Sequence, residues 1–240
     1  MTQTSAVPGH LPVVILPGID GVAELRHAVA GCLSLLRPTT VVSLPAGLSR
    51  YDELARAITA TLPAGPFVLL GESFSGPLAI DIAAREPQRV AGLVLAATFA
   101  RNPWPRWLAH TAPHVDHRRI PRPIIEALML GASARAEVRT GLDRVIKEVA
   151  PDVMAGRVIA ALAVDALPSL RNLACPILCL HGRWDRLIRP RLAREIKAVQ
   201  PRAELRWLDA PHMLLETHPD AAAAEIDWFC REIEHKVVSW

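Results

Sequence analysis

The sequence predicts an α/β fold, a mostly parallel twisted sheet with helices on both faces, broken once by a helical insertion. Three observations predict it. Short runs such as Val13–Leu16 and residues 67–70 are apolar throughout, as strands buried on both faces are. Between them lie segments of helical spacing, for example Leu25, Val29, Cys32, Leu33 and Leu36. From residue 99 to 171 the alternation stops, and no strand-like run occurs. The 240 residues are long enough for one domain with a large core. That core is expected from residues 1–98 and 172–240, with 99–171 as the insertion.

Taken in order, the strand at Val13–Leu16 ends in a loop at 17–21. Helices are expected over 22–36 and 51–62, with a β-branched strand at 39–44 between them. The strand at 67–70 leads into an Ala-rich helix, and 92–98 is the next strand. The insertion opens with Pro103, Pro105, Pro113, Pro121 and Pro123, followed by helical patterns over about 124–130, 134–149 and 152–167. The last of these is apolar nearly all round, so burial between layers is expected. Strands at 175–180 and 203–208 flank a helix at 190–199. A final helix runs from 219 to about 237, where Thr217 and Asp220 have the spacing of a capping box.

Composition excludes several classes. With 51% hydrophobic and 21% charged residues the chain reads as a globular protein. No apolar run approaches the ~18 residues of a membrane span. Residues 1–11 have neither the basic start nor the apolar stretch of a signal peptide. Cys32, Cys175, Cys179 and Cys230 are scattered among apolar neighbours, and the spacing of Cys175 and Cys179 is wrong for a zinc knuckle. Free buried thiols and a cytoplasmic location are the expectation. His110, His114 and His117 lie close in sequence without a carboxylate or cysteine pattern, so they read as solvated residues and no metal site is expected. The net charge of +3 is unevenly spread. Residues 99–150 hold nine Lys and Arg against five Asp and Glu, and the rest of the chain 18 against 19. The imbalance is too small, with too few aromatics, for a nucleic-acid surface.

The chemistry centres on Gly71-Glu72-Ser73-Phe74-Ser75-Gly76, placed between a strand and a helix. A sharp strand-to-helix turn forces its serine into a strained backbone and requires small neighbours two positions away. Gly71 meets that on one side and Ser75 with Gly76 on the other, Ser75 standing where the usual pattern has Gly. Ser73 is the candidate nucleophile, with an ordinary turn serine as the competing reading and Ser75 as a weaker alternative. A serine needs a base, and the base an orienting partner. In parallel α/β sheets, sites gather beyond the carboxyl ends of strands. Asp185 follows the strand at 175–180 and His212 the strand at 203–208. His181 and His218 compete with His212, but their positions beside Gly182 and Pro219 read as structural.

In the order Ser73, Asp185, His212 the chain resembles the α/β-hydrolase family from Pro12 to about Val237. The resemblance rests on four stretches. Gly71-Glu72-Ser73-Phe74-Ser75 resembles the nucleophile elbow, and His181-Gly182-Arg183-Trp184-Asp185 the loop carrying the acid. Ala210-Pro211-His212-Met213 resembles the histidine loop, and Pro17-Gly18-Ile19-Asp20-Gly21 the oxyanion loop, with Pro17 in the usual His position. It implies Ser73 as nucleophile, Asp185 as orienting carboxylate and His212 as general base. It also implies an oxyanion hole from the amides of Ile19 and Phe74, worth roughly 3–4 kcal/mol per donor. The stretch before Val13 leaves no room for the strand pair many members carry, so a shorter sheet edge is expected. Asp20 reads as a turn residue, with a substrate hydroxyl as its alternative partner.

The resemblance implies a lidded serine hydrolase that cleaves a small-molecule carboxylic ester without a cofactor. The insertion would be the lid, and Trp104, Ile125, Leu128 and Met129 line its acyl pocket, together with Trp107 and Ile124. Core packing of the lid helices is the alternative use of these residues. Arg101, Arg106, Arg118, Arg119, Arg122, Arg135, Arg139 and Arg144 suggest steering of an acidic partner. Family esterases acting on acyl-carrier-protein methyl esters use a basic lid, so an acidic carrier protein is a candidate partner. Arginines that only solvate helix faces are the competing reading. The fold also hosts thioesterases, perhydrolases, carbon–carbon hydrolases and triad-bearing receptors.

Overall fold

Six parallel strands form one sheet in the order β2-β1-β3-β4-β5-β6. They are β1 (Val13–Leu16), β2 (Thr39–Val41), β3 (Phe67–Glu72), β4 (Val90–Ala96), β5 (Ile177–Gly182) and β6 (Glu204–Leu208). The computed structural model describes residues 9–105, 107–111, 115–131 and 134–238. Arg106, Pro113 and His114 lie outside the described residues.

Period-two side-chain alternation puts a core on each face of the sheet. Val14, Leu16, Leu69, Leu93 and Leu95 pack on one side, and Val13, Ile15, Val68, Leu70 and Val94 on the other. Helices α1 (His27–Ser34), α10 (Leu214–Thr217) and α11 (Pro219–Val238) cover the second side. The first is covered by α2 (Tyr51–Thr59), α3 (Ser75–Arg85), α8 (Leu167–Arg171) and α9 (Pro190–Val199). Between β1 and β3 the strand order changes direction, which opens a crevice at the carboxyl edge.

Several boundaries differ from the sequence reading for local reasons. The second strand stops at Val41 because Leu44 N–H leaves the sheet to donate to Gly21 O at 2.8 Å. β5 starts at Ile177, after Pro176, which has no N–H to give to the ladder. Thr217 does not form the expected capping box: its hydroxyl donates to Met213 O at 2.6 Å, and the Asp220 carboxylate accepts from the Cys32 thiol.

The insertion contains α4 (Leu108–Thr111), α5 (Arg122–Met129), α6 (Ala136–Glu148) and α7 (Pro151–Ala163). The helix expected over 152–167 is broken, because the two ends of the insertion pair with each other. Asn102 N–H donates to Val164 O at 3.0 Å and Ala166 N–H to Ala100 O at 2.7 Å. An antiparallel bridge between Arg101 and Asp165 lies between those bonds. Nor is α7 buried all round; most of its residues are half-exposed. Among the described residues no helix is long and apolar enough to cross a membrane.

Candidate active site

Ser73 sits at the carboxyl end of β3 with φ +49°, the strained conformation its turn requires. Three bonds hold it there: its N–H donates to Ala96 O at 2.9 Å, its carbonyl accepts from Gly76 N–H at 3.1 Å, and the Thr98 hydroxyl donates to the same carbonyl. The turn is tight enough that a Cβ at Gly71 would lie 2.5 Å from Ser75 O. Ser75 itself points elsewhere, donating its hydroxyl to Pro17 O.

His212, in the loop after β6, brings Nε2 to 3.0 Å from Ser73 Oγ and Nδ1 to 2.8 Å from Asp185 Oδ2. A carboxylate only accepts, so Nδ1 carries the proton and the Nε2 lone pair faces the serine hydroxyl. The other Asp185 oxygen accepts from the N–H groups of Leu187 and Ile188 at 2.9 and 2.8 Å. Those bonds aim the carboxylate. Burial alone would lower the His212 pKa, but the Asp185 charge and hydrogen bond outweigh it, and the net shift is upward. His181 donates Nε2–H to Ile188 O at 2.8 Å, and burial lowers its pKa. His218 meets the Thr217 hydroxyl through Nδ1.

The loop 17–21 lies against the elbow, and a Cβ at Gly18 would be 3.6 Å from Ser73 Cβ. Gly21 N–H closes the turn on Gly18 O at 3.0 Å, with Gly21 at φ +76°. The Asp20 carboxylate accepts from Val22 N–H and from Arg26, the turn role rather than a free acceptor. Among the described residues no protein acceptor pairs with the amides of Ile19 or Phe74, and both residues line the same cavity. Phe74 is braced from behind: Tyr51 stacks on its ring at 4.7 Å and donates its hydroxyl to Phe74 O.

A cavity of about 370 Å³ opens onto Ser73 and His212. Its walls are mainly apolar, and Trp104, Ile125, Leu128 and Met129 all line it, joined by Met154 and Val158 from α7. The Trp104 indole N–H donates to Leu187 O, which fixes its ring. Trp107 and Ile124 do not belong to this wall; they are 62% and 52% exposed.

One part of the site had no local sequence signal. Arg26 is buried and donates Nε–H to Glu72 at 2.5 Å and Nη1–H to Asp20 at 2.7 Å, with Glu216 at 3.2 Å from Nε. One guanidinium thus joins the loop 17–21, the elbow and the helix after His212. Neither carboxylate oxygen of Glu216 accepts a hydrogen bond among the described residues. Burial, reinforced by Glu72 and opposed by Arg26, pushes its pKa well up. No spacing links positions 20, 26, 72 and 216; only the topology gathers them.

His117 is buried and donates Nε2–H to Ile146 O, which corrects its reading as solvated. Among the described residues no group of three or more His, Cys, Asp or Glu is placed to hold a metal. All four cysteines are free, and burial pushes the thiols of Cys179 and Cys230 to about 12. Arg101, Arg118, Arg119, Arg122 and Arg139 pair with carboxylates, whereas Arg135 and Arg144 are exposed.

A parallel sheet carrying a serine elbow, a histidine and an aspartate in this chain order defines an α/β-hydrolase. The chain belongs to the hydrolase family described as Serine aminopeptidase, S33, which matches residues 48–217. It is similar to the pimeloyl-acyl-carrier-protein methyl ester esterase of Salmonella newport, 26% identical over 238 residues, covering 89% of this chain and 91% of that one. The protein of that name from Nitrosospira multiformis is 26% identical over 196 residues, covering 75% and 74%. Among solved structures, an esterase from Exiguobacterium antarcticum superposes with a TM-score of 0.83 at 14% identity, covering 95% of this chain and 94% of that one.

Proposed function

We propose that this α/β-hydrolase cleaves carboxylic esters through an acyl-enzyme on Ser73. The observation that carries the reading is the hydrogen-bonded series Ser73–His212–Asp185 opening onto an apolar cavity. His212 Nε2 takes the Ser73 proton as Oγ attacks the carbonyl carbon, and Asp185 steadies the imidazolium. The amides of Ile19 and Phe74 receive the oxyanion. His212 then gives its proton to the leaving alcohol. A water that it deprotonates attacks the acyl carbon, and the acid departs with Ser73 restored.

Residues 99–171 act as a lid on the core of 1–98 and 172–240 within one domain, and Trp104, Ile125, Leu128 and Met129 hold the acyl group. The free thiols support a cytoplasmic setting. An acyl-carrier-protein methyl ester is the finer substrate reading, supported by the two esterase relatives of that name. Exposed Arg135 and Arg144 are among the groups that could meet an acidic partner. The test is hydrolysis of p-nitrophenyl esters from acetyl to dodecanoyl by wild type and Ser73→Ala. Turnover lost in the variant supports the reading; a folded wild type that hydrolyses none overturns it. Turnover of a carrier-bound ester that does not fall with added salt removes the carrier reading.

A further inference from the structure

Arg157 of α7 is 2% exposed, yet no carboxylate pairs with it among the described residues. Among the described residues its guanidinium donates to backbone carbonyls alone: Nη1–H to Ile19 at 2.8 Å, Nε–H to Leu48 at 3.2 Å and Nη2–H to Pro45 at 3.4 Å. Burial lowers its pKa from the ordinary arginine value. The Asp20 charge opposes that shift without forming a direct ion pair; taking a cation out of water with no carboxylate in contact is costly, and an apolar side chain of similar volume would serve packing better. The location gives the charge a use. In the loop 17–21, Pro17 O is held by Ser75 and Gly18 O by Gly21. Arg157 holds the next carbonyl, that of Ile19, and a side chain at Gly21 would collide with the guanidinium. The same helix presents Met154, Ala155, Val158 and Ala161 to the cavity. One rigid element therefore carries part of the acyl wall and the clamp on the oxyanion loop.

We propose that Arg157 is a positioning residue that couples acyl occupancy of the cavity to the position of Ile19, by anchoring the peptide that follows the Ile19 N–H. This rests on the ester-hydrolase reading. An acyl group packed on α7 fixes the helix, Arg157 fixes Ile19, and the oxyanion donor is held where charge develops. Interactions realised only in the transition state raise kcat rather than lower KM. Discrimination among acyl lengths is then a kcat effect.

The experiment compares wild type, Arg157→Met and Arg157→Lys over the same ester series. Arg157→Met should lower kcat by about 10–100-fold on the preferred ester with KM nearly unchanged. Its kcat should lose its dependence on chain length, and Arg157→Lys should recover part of the loss. Affinity for a trifluoromethyl ketone, which forms an oxyanion on Ser73, should fall with kcat, while affinity for the matching methyl ketone should not. Equal losses on every ester, or a change in KM alone, overturn the coupling. Should Arg157→Met not fold, hydrogen exchange on wild type decides: the methyl ketone should slow exchange in residues 18–21, and unchanged exchange there overturns the proposal. That arm needs no turnover, so it separates failure of the coupling from failure of the ester reading.

Discussion

The hydroxyl of Ser75 donates to the carbonyl of Pro17 at 2.5 Å, so the first turn of the elbow helix is fastened to the loop facing Ser73. The position where a Gly is usual carries a buried hydrogen bond instead. Ser75→Gly should therefore keep the elbow but loosen loop 17–21, costing about 1 kcal/mol of stability. Urea titration and kcat on the preferred ester check this; equal stability and equal kcat would leave the bond without a role.

Asp185 receives two backbone N–H groups on one oxygen and His212 on the other. Asp185→Asn keeps the shape but replaces an acceptor of the Nδ1 proton by an amide that can impose the wrong tautomer. A fall in kcat of roughly 10³–10⁴-fold is expected. Titration with a fluorophosphonate, which labels the activated serine, should slow in parallel.

The acid limb of kcat/KM reports the free enzyme's base. The pKa of His212 is raised from 6.5, so the protonated, inactive form persists above that value. Activity should fall as pH drops through a point higher than an ordinary histidine would give. A limb centred below 6.5 would contradict the environment described for His212.

Glu216 provides a second pH test, read in stability rather than rate. Its folded pKa lies above the ordinary 4.5, so the folded chain holds a proton that the unfolded chain releases there. Its favourable contribution is complete below 4.5 and is lost as pH rises towards the raised folded value. Glu216→Gln should remove that slope, and its advantage in Tm over wild type should grow with pH across the window. Parallel Tm profiles would show that Glu216 is not protonated in the fold.

Leu128 lines the cavity on α5. Leu128→Trp should shorten the preferred acyl chain while leaving the rate of acetyl ester hydrolysis within about threefold, since surface-lining changes away from the reacting atoms chiefly alter the pocket's length. The p-nitrophenyl series measures both.

What was legible in the sequence is what local pattern encodes. Apolar strands, helical stripes and the strand-end positions of Ser73, Asp185 and His212 need only neighbours in sequence. Helix α9 matches its expected bounds because Pro190 and the apolar stripe of Leu192, Ala193 and Ile196 mark it locally. The break in the helix at 164–166 was not legible, because its cause is pairing with residues 100–102. Arg26 and Arg157 were missed for a like reason. Arg26 reads as an ordinary arginine on an amphipathic helix and Arg157 as one charge on a helix otherwise apolar nearly all round, and only the folded chain shows which carboxylates or carbonyls surround each. Of the basic insertion, sequence supplied the charge count but not the carboxylates that pair with Arg101, Arg118, Arg119, Arg122 and Arg139.

Tyr51 is the chain's sole tyrosine, and its ring lies 4.7 Å from that of Phe74. Biosynthetic incorporation of 3-fluorotyrosine would thus place a single fluorine-labelled residue behind the nucleophile turn. Its ¹⁹F resonance would follow acylation and release at one assigned position, with no mutation and no competing signal from the rest of the protein.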